Sequence, residues 1–490
     1  MNTDMKNKVL SGLFWKLMEN GGRQGIQFFI QILLARLLLP ADYGVIALIV
    51  VFIAIANVFV DSGFNAALIQ KKNVDETDFS SVFHLSLFVA ASLYIALYLS
   101  APLIADFYQE DQIIAILRVL SITLFFGAVN SIQYAVVSRT MKFQKVFFST
   151  LGGTLFSGSL GIVMAYAGFG VWALVAQHLT NQLLITVILW FTVKWRPGML
   201  FSLSRVKSLF AFGRNLLCSS MLDTIYSNLY SLVIGKMYNP EMLGYFVRGE
   251  QFPRLIITNI NGSISSVMLP ALSASQDDKG KVKAMVRRSI VTSSFVIFPM
   301  MTGLGVCAEL LVKILLTDKW LPCVPFLQMM CITFAFWPIH VANLQAIKAL
   351  GRSDIFLKLE IIKKCLGVIV LAISAPFGIY IMVAFMPVTS FISTAINSYP
   401  NGKLLQYSFK EQWLDIIPSL LLSVVMGAAI YPIHFTDWNS GVKLLGQVIA
   451  GASVYIGLAF LFKLECFLYL LDTGKELLRR KRIQAVNGDE

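Results

Sequence analysis

The sequence predicts an all-α polytopic membrane protein, and three observations lead to that prediction. The first is composition, since 57% of the 490 residues are hydrophobic, only 14% are charged, and the mean hydropathy is +0.72. In soluble domains about a quarter of all residues are charged. The second is that runs of about 20 apolar residues, enough to cross roughly 30 Å of hydrocarbon, recur from end to end. The third is an internal repeat.

We predict about fourteen transmembrane helices from these apolar runs. The turns at 168–170 and 376–378 are so short that each leaves open whether one span or two is present. The predicted spans are residues 11–37, 44–69, 79–101, 113–138, 145–167, 170–193, 209–235, 243–269, 288–313, 322–348, 356–375, 378–399, 413–433 and 441–464.

The net charge of +13 would suit a nucleic-acid-binding protein, but the distribution of the bases excludes that partner. Lysines and arginines cluster in alternate loops, as at 194–214, 279–288 and 348–364, and again in the tail at 475–482. Cytoplasmic loops carry such an excess of bases. We therefore predict that these loops and both termini face the cytoplasm.

The repeat places a small residue, a base, a proline and a glycine at the same spacing 200 residues apart. The two sets are Ala35, Arg36, Pro40 and Gly44, then Gly235, Lys236, Pro240 and Gly244. Six spans, an even number, separate the copies, so two parallel six-helix lobes are predicted, with a pseudo-two-fold axis along the membrane normal. The predicted domains are 1–200 (spans 1–6), 201–400 (spans 7–12) and 401–490 (an accessory helix pair and a basic cytoplasmic tail).

Span 1 carries a group of polar residues that hydrocarbon disfavours, because a charge at mid-span costs about 2.5–3.5 kcal/mol. Glu19 and Arg23 are four residues apart and are suited to an ion pair within one helix. The alternative is a polar stripe along a water-filled cavity. We favour the cavity, because a self-compensating pair does not require Gln24, Gln27 and Gln31 beside it.

Span 8 is the most polar of the predicted spans. Its candidate residues are Arg248, Glu250, Gln251, Arg254 and Asn259. The 200-residue offset places Leu48 and Ala54 opposite the two arginines, so the second lobe carries an added basic cluster. Arg248 lies about one turn inside the membrane and could reach the outer surface, whereas Arg254 lies deeper. Arg254 is therefore the best single candidate for an anion-binding residue.

Asp61 and Asp223 are further acids within predicted spans, and each either pairs with a cavity arginine or titrates as a coupling site for an ion. Ser62-Gly63 after Asp61 suggests a helix break there. Histidines and cysteines show no metal-ligand spacing, and no nucleotide-binding or hydrolase motif is present. We expect no metal, no cofactor and no enzymatic activity.

The residues Ser11 to Trp15, Leu34 to Gly44, and the Asn239-Pro240-x₃-Gly244 turn resemble one transporter family. These are the polysaccharide transporters of the multidrug/oligosaccharidyl-lipid/polysaccharide exporter superfamily, in particular the Wzx-type flippases and the colanic-acid or teichuronic-acid exporters. The resemblance implies an inner-membrane carrier with two six-helix lobes around a cationic cavity. It also implies that undecaprenyl-diphosphate-linked oligosaccharide moves from the cytoplasmic to the periplasmic leaflet by alternating access, for O-antigen, capsule or exopolysaccharide synthesis.

Related flippases place cavity arginines on spans 1, 2 and 8. Arg23, Arg248 and Arg254 match spans 1 and 8, whereas span 2 has no arginine. We predict that these three arginines bind the diphosphate. The residues predicted to contact sugars or line the cavity are Gln24, Gln27, Gln31, Gln251 and Asn259, and those predicted to couple ions are Glu19, Asp61, Asp223 and Glu250.

The expected partners are the lipid-linked oligosaccharide, membrane lipids and a polysaccharide polymerase or co-polymerase. Three alternatives stay open: a small-molecule drug/cation antiporter of the same superfamily, a membrane-embedded polysaccharide polymerase or ligase, and a non-transporting scaffold. An antiporter cavity would be anionic and aromatic, and a polymerase or ligase would need a larger outer loop than this sequence provides.

Overall fold

The computed structural model describes the backbone of residues 3–61 and 63–472 and the side chains of Trp15, 21–61, 63–211 and 213–472. All regular structure in those ranges is helical, which confirms the all-α class. The helices are α1 (Thr3–Leu37), α2 (Pro40–Asp61), α3 (Phe64–Gln70), α4 (Glu76–Tyr108), α5 (Gln112–Leu120), α6 (Thr123–Thr140), α7 (Gln144–Tyr166), α8 (Val171–Thr192), α9 (Leu203–Met237), α10 (Pro240–Ser273), α11 (Lys279–Val306), α12 (Ala308–Leu315), α13 (Val324–Ala335), α14 (Trp337–Ala349), α15 (Ser353–Ser374), α16 (Ile379–Leu404), α17 (Phe409–Ile430) and α18 (Ser440–Leu461).

Eleven helical segments in the described ranges are long and apolar enough to cross a membrane, which confirms the polytopic membrane class. The predicted spans 11–37, 209–235 and 356–375 coincide with α1, α9 and α15, which are helices of 35, 35 and 22 residues. These three are not among the eleven, because polar and charged side chains interrupt their apolar sequence. The number fourteen stays a prediction.

Four predicted spans contain a helix break that hydrophobicity alone did not reveal. The span 44–69 divides into α2 and α3, as the Asp61-Ser62-Gly63 sequence suggested. Gly63 has φ = 69°, and a Cβ atom on it would lie 2.6 Å from the carbonyl oxygen of Gly213 in α9. Only glycine adopts this left-handed conformation without strain while allowing such a close backbone contact. The pairs α5/α6, α11/α12 and α13/α14 likewise form one predicted span each.

The two short turns each separate two helices. Gly168 and Gly170 both have positive φ, and they join α7 to α8. Gly378, with φ = 108°, precedes the first residue of α16. The spans on either side of each turn are therefore distinct.

The chain divides into two compact units, Met1–Val247 and Arg248–Glu490, with the division inside α10. In the first unit α1 packs along α7, α7 along α8, and α2 along α9. In the second unit α11 packs along α17, α13 along α16, and α17 along α18. The domain boundaries at 200 and 400 rest on the repeat and stay predictions, and the basic segment 475–482 lies outside the described residues.

The two copies of the proline–glycine repeat pack against each other within the first unit. Pro40 and Pro240 are the first residues of α2 and α10, a position that proline favours. A Cβ atom on Gly44 would lie 1.6 Å from the carbonyl oxygen of Pro240, and one on Gly244 would lie 2.0 Å from that of Pro40. The contact is reciprocal: Gly44 lies against the backbone at Pro240, and Gly244 lies against the backbone at Pro40.

A buried amide network joins α14, α16 and α17 in the second unit. Asn343 donates from Nδ2 to Gln412 Oε1 at 2.9 Å and accepts from Gln412 Nε2 at 3.1 Å. Asn401 Nδ2 donates to Asn343 Oδ1 at 2.6 Å, and Ser398 Oγ donates to Gln412 Oε1 at 2.9 Å. Because unpaired amides are costly in an apolar interior, this network holds the three helices in one register.

Gly44→Ala is expected to destabilise the protein, because the atoms that crowd the new methyl group are backbone atoms and cannot rotate away. Overpacking of this kind costs about 1–3 kcal/mol. The matched control is Gly457→Ala in α18, where a Cβ atom has no neighbour within 4 Å. Thermal unfolding of the purified protein should show a lower midpoint for Gly44→Ala alone, and equal midpoints would contradict the close contact.

Asn343→Leu is expected to destabilise the second unit, since it removes the partner of Gln412 and of the Asn401 amide. Leaving buried polar groups unpaired costs about 1–3 kcal/mol each. Asn228→Leu is the control, because the Asn228 amide bonds to Thr224 and Ser227 of its own helix. Limited proteolysis should cleave the Asn343 variant faster, and identical cleavage rates would argue against a structural role for the network.

Candidate functional site

The polar stripe of α1 lies partly exposed along the first unit. Arg23, Gln24, Gln27 and Gln31 are all half-buried, and Gln31 Nε2 donates to Gln177 Oε1 of α8 at 3.4 Å. The stripe is held by the packing of α1 on α7, where Ile30 fills the space left by the absent side chain of Gly158. A side-chain clash there would shift α1, so Gly158 positions the stripe.

The side chain of Glu19 lies outside the described residues, so the choice between an ion pair with Arg23 and a cavity-lining role stays open. The buried Nε of Arg23 has no hydrogen-bond partner among the side chains that the structure describes.

Arg248 is deeply buried, with only 4% of its surface exposed. Its guanidinium lies 5.2 Å from the ring centroid of Trp320, and Nη1 donates to Gln251 Oε1. An arginine within about 6 Å of a tryptophan face gains cation–π stabilisation, which is greatest away from water. Both partners therefore reduce the cost of burying this charge.

Gly249 makes this arrangement possible. A Cβ atom at Gly249 would lie 2.8 Å from the backbone nitrogen of Leu327 and 2.9 Å from the carbonyl oxygen of Cys323. The α10 backbone therefore approaches α13 and the preceding 3₁₀ turn (Asp318–Cys323), which carries Trp320. The absence of a side chain at Gly249 brings Arg248 over the indole.

Arg254 has a different environment from Arg248. Its side chain is 48% exposed and forms an ion pair with Glu250, one turn earlier on α10, whose side chain is 16% exposed. Arg254 is six positions after Arg248, which places the two side chains about 120° apart around an ideal helix. The structure pairs Arg248 with Gln251 and Arg254 with Glu250, and it does not place the two guanidinium groups on one face of α10.

The remaining candidates lie apart from these pairs. Asn259 is exposed, and its Nδ2 donates to the carbonyl oxygen of Leu255 within α10. Asp61 is the exposed last residue of α2, and Asp223 is exposed on α9. The ion-coupling roles of Glu19, Asp61, Asp223 and Glu250 stay predictions.

Sequence reasoning missed Trp320 and Gln177 as neighbours of the candidate residues. Trp320 lies between the predicted spans 288–313 and 322–348, and its contact with Arg248 joins segments about 70 residues apart. Gly249, a small residue directly after a charged one in an apolar span, was the available signal. Within the residues that the structure describes, no group of three or more histidine, cysteine or acidic residues is arranged to hold a metal ion.

Comparison with known proteins gives a consistent result. The family model described as "Polysaccharide biosynthesis protein" matches residues 33–325. The teichuronic acid biosynthesis protein TuaB of Bacillus subtilis (strain 168) is 24% identical over 87% of this chain and 89% of its own length. The lipopolysaccharide biosynthesis protein WzxC of Escherichia coli (strain K12) is 22% identical over 87% of this chain and 89% of its own length.

Among solved structures, the lipid II flippase MurJ in an inward closed conformation has the same fold, with a TM-score of 0.74. The match covers 92% of this chain and 98% of that one, at 16% identity. The family model matches more than half of the chain, and the membrane fold agrees with it. The chain belongs to the polysaccharide biosynthesis protein family.

Proposed function

We propose that this protein is a flippase that moves a lipid-linked oligosaccharide repeat unit from the cytoplasmic to the periplasmic leaflet of a bacterial inner membrane, with undecaprenyl diphosphate as the carrier lipid. The relatives named for teichuronic acid and lipopolysaccharide biosynthesis and the fold shared with a lipid II flippase support this proposal. The proposed purpose is synthesis of a surface polysaccharide such as O-antigen, capsule or exopolysaccharide.

The observation that carries the proposal is the basic character of α10 in a family of polysaccharide biosynthesis proteins. Arg248 is buried and Arg254 is half-exposed on a helix apolar enough to cross the membrane. Guanidinium groups bind phosphate through paired, planar hydrogen bonds. A diphosphate is the anion that every lipid-linked repeat unit of this carrier would present.

Arg254 and Arg23 are the residues we assign to direct contact with the diphosphate. Glu250 holds Arg254 in place while the anion is absent, and a diphosphate, with its greater charge, competes with that carboxylate. Gln24, Gln27, Gln31, Gln251 and Asn259 are assigned to sugar hydroxyls or to the cavity lining. We assign Arg248 to electrostatic attraction of the same diphosphate. Its burial gives it a structural role as well.

The driving force is the membrane potential together with consumption of the product. A potential negative inside favours outward movement of an anion by about 2.3 kcal/mol per charge per 100 mV. A polysaccharide polymerase or co-polymerase on the outer side would remove the flipped lipid, and its physical association is part of the proposal. The proposed orientation places both termini in the cytoplasm.

The experiment that tests the proposed function is a deletion strain analysed for lipid-linked intermediates. We expect the repeat unit to accumulate on its carrier lipid in the cytoplasmic leaflet, where periplasmic labelling reagents do not reach it. Accumulation of flipped but unpolymerised repeat units would instead indicate a polymerase, and unchanged intermediates would indicate a scaffold or a drug antiporter.

Arg254→Ala is expected to lower polysaccharide export by about tenfold or more, because a charge-assisted hydrogen bond contributes about 1.5–3 kcal/mol. Glu250, which is only 16% exposed, loses its ion-pair partner in this variant, so the unfolding temperature is measured on the same preparation. Arg254→Lys should retain more export than alanine. Arg352→Ala is the control, because Arg352 pairs with exposed Asp354 outside the candidate site. Normal export by Arg254→Ala at wild-type protein levels contradicts the assignment.

Arg248→Ala is expected to lower both export and thermal stability, because it removes a buried side chain that covers Trp320. Arg248→Lys keeps the charge but loses the planar stacking, so it should restore only part of the stability. Export and unfolding temperature are measured on the same preparations. A stable Arg248→Ala protein would show that the contact with Trp320 contributes little to folding.

A further inference from the structure

A charged cavity of about 600 Å³ lies in the second unit, away from the arginines of α10. It opens among the first turns of α11, the first turns of α17 and the helical residues that follow α18. All three segments lie at the ends of the predicted spans 288–313, 413–433 and 441–464 that face the cytoplasm in the predicted topology. The charged residues that line it are Lys283, Arg287, Arg288, Glu411, Asp415 and Glu465.

Four of these six charges pair with each other. Lys283 Nζ lies 2.9 Å from Glu411 Oε1, and it also donates to the carbonyl oxygen of Gln406 at 2.7 Å. Arg287 forms a two-bond pair with Asp415, with Nε and Nη2 both donating to the carboxylate at 2.8–3.0 Å.

Arg288 and Glu465 are the two lining charges that have no ion pair among the described residues. The Arg288 guanidinium lies 4.1 Å from the ring centroid of Tyr469, which fixes its direction by a cation–π contact. Both side chains are exposed at the cavity. The site therefore presents one oriented cation and one anion beyond its internal pairs, while the sum of its six charges is zero.

Apolar residues continue the cavity toward the membrane. Its wall includes Val291, Pro418 and Leu464. Along α17, Leu414, Leu421 and Val425 are 61%, 57% and 50% exposed. Their spacing of seven and four residues places them within about 20° of one helix face. A polar cavity at the cytoplasmic surface thus leads onto a lipid-facing apolar stripe.

We propose that this cavity binds the headgroup of a zwitterionic aminophospholipid of the inner leaflet. Arg288 donates hydrogen bonds to the phosphodiester oxygens, Glu465 accepts hydrogen bonds from the primary ammonium, and the acyl chains follow Leu414, Leu421 and Val425. A cavity of this size falls within the usual range for a small-molecule site. A headgroup without a cation, such as phosphoglycerol, satisfies Arg288 but leaves Glu465 without a positively charged partner, which is why the zwitterion is favoured.

The bound lipid would join α11, α17 and the segment after α18, so it would stabilise the packing of the accessory helices. This inference is independent of the transported substrate, because none of its residues belongs to the candidate substrate site. Failure of the flippase proposal would leave it unaffected.

The experiment uses the full-length protein, purified in detergent and exchanged with phosphatidylethanolamine, phosphatidylcholine or phosphatidylglycerol at equal concentration. Retained lipid is counted by native mass spectrometry. We expect retention in the order phosphatidylethanolamine, phosphatidylcholine, phosphatidylglycerol, because only the first two carry a cation and only the first has ammonium N–H donors for Glu465. Equal or better retention of phosphatidylglycerol would overturn the proposal.

Substitutions of cavity residues test whether the headgroup binds in this cavity. Arg288→Gln should weaken phosphatidylethanolamine retention about tenfold, and Glu465→Gln should shift the preference toward phosphatidylglycerol. Lys281→Gln is the matched control, since it removes a base from the same helix but does not line the cavity. If Lys281→Gln weakens retention as much as Arg288→Gln does, or if Glu465→Gln leaves the preference unchanged, the headgroup is not bound here. Unfolding temperatures measured in parallel exclude loss through misfolding.

Discussion

A buried guanidinium in an apolar membrane helix must be surrounded by groups that stabilise its charge, and Arg248 of α10 is such a group. Arg248 is buried against Trp320 and bonded to Gln251. This contact depends on Gly249, because a side chain there would hold α10 away from the turn that carries the indole. The cost of burying this charge is thereby reduced, and α10 retains its basic character.

The reciprocal proline–glycine contact shows how a sequence repeat becomes a structural one. In each copy a helix begins at the proline and a glycine follows four residues later. Each glycine lies in close contact with the backbone of the other copy. Two glycines without side chains let the starts of α2 and α10 approach to backbone contact.

Much of the fold could be predicted from the sequence. Apolar runs predicted the membrane class, and the echo of Pro40 and Gly44 at Pro240 and Gly244 predicted the repeat. The helix breaks within four predicted spans were mostly not predicted, because a hydrophobic run has the same composition whether or not its helix is interrupted. Only Gly63 gave a local signal.

The candidate site was predicted less completely, and the reason is the distance along the chain between its parts. Polar residues in α1 and α10 stood out against apolar neighbours, so Arg23, Arg248 and Arg254 were identified. Their surroundings were not, since Trp320 contacts Arg248 across a long sequence separation. The pairing of Asn343 with Gln412 was missed for the same reason.

The most direct test of whether this protein moves an anionic lipid-linked oligosaccharide across the membrane is transport by the purified protein. Proteoliposomes containing lipid-linked oligosaccharide are treated with a membrane-impermeant reagent that modifies sugars in the outer leaflet. We expect that, with intact arginines, the protein makes the inner-leaflet lipid-linked oligosaccharide accessible to the reagent. An imposed potential should change the rate of this modification in the direction expected for a moving anion. Equal modification of the inner-leaflet sugars in protein-free liposomes, or a modification rate that does not depend on the potential, would contradict transport of an anion by this protein.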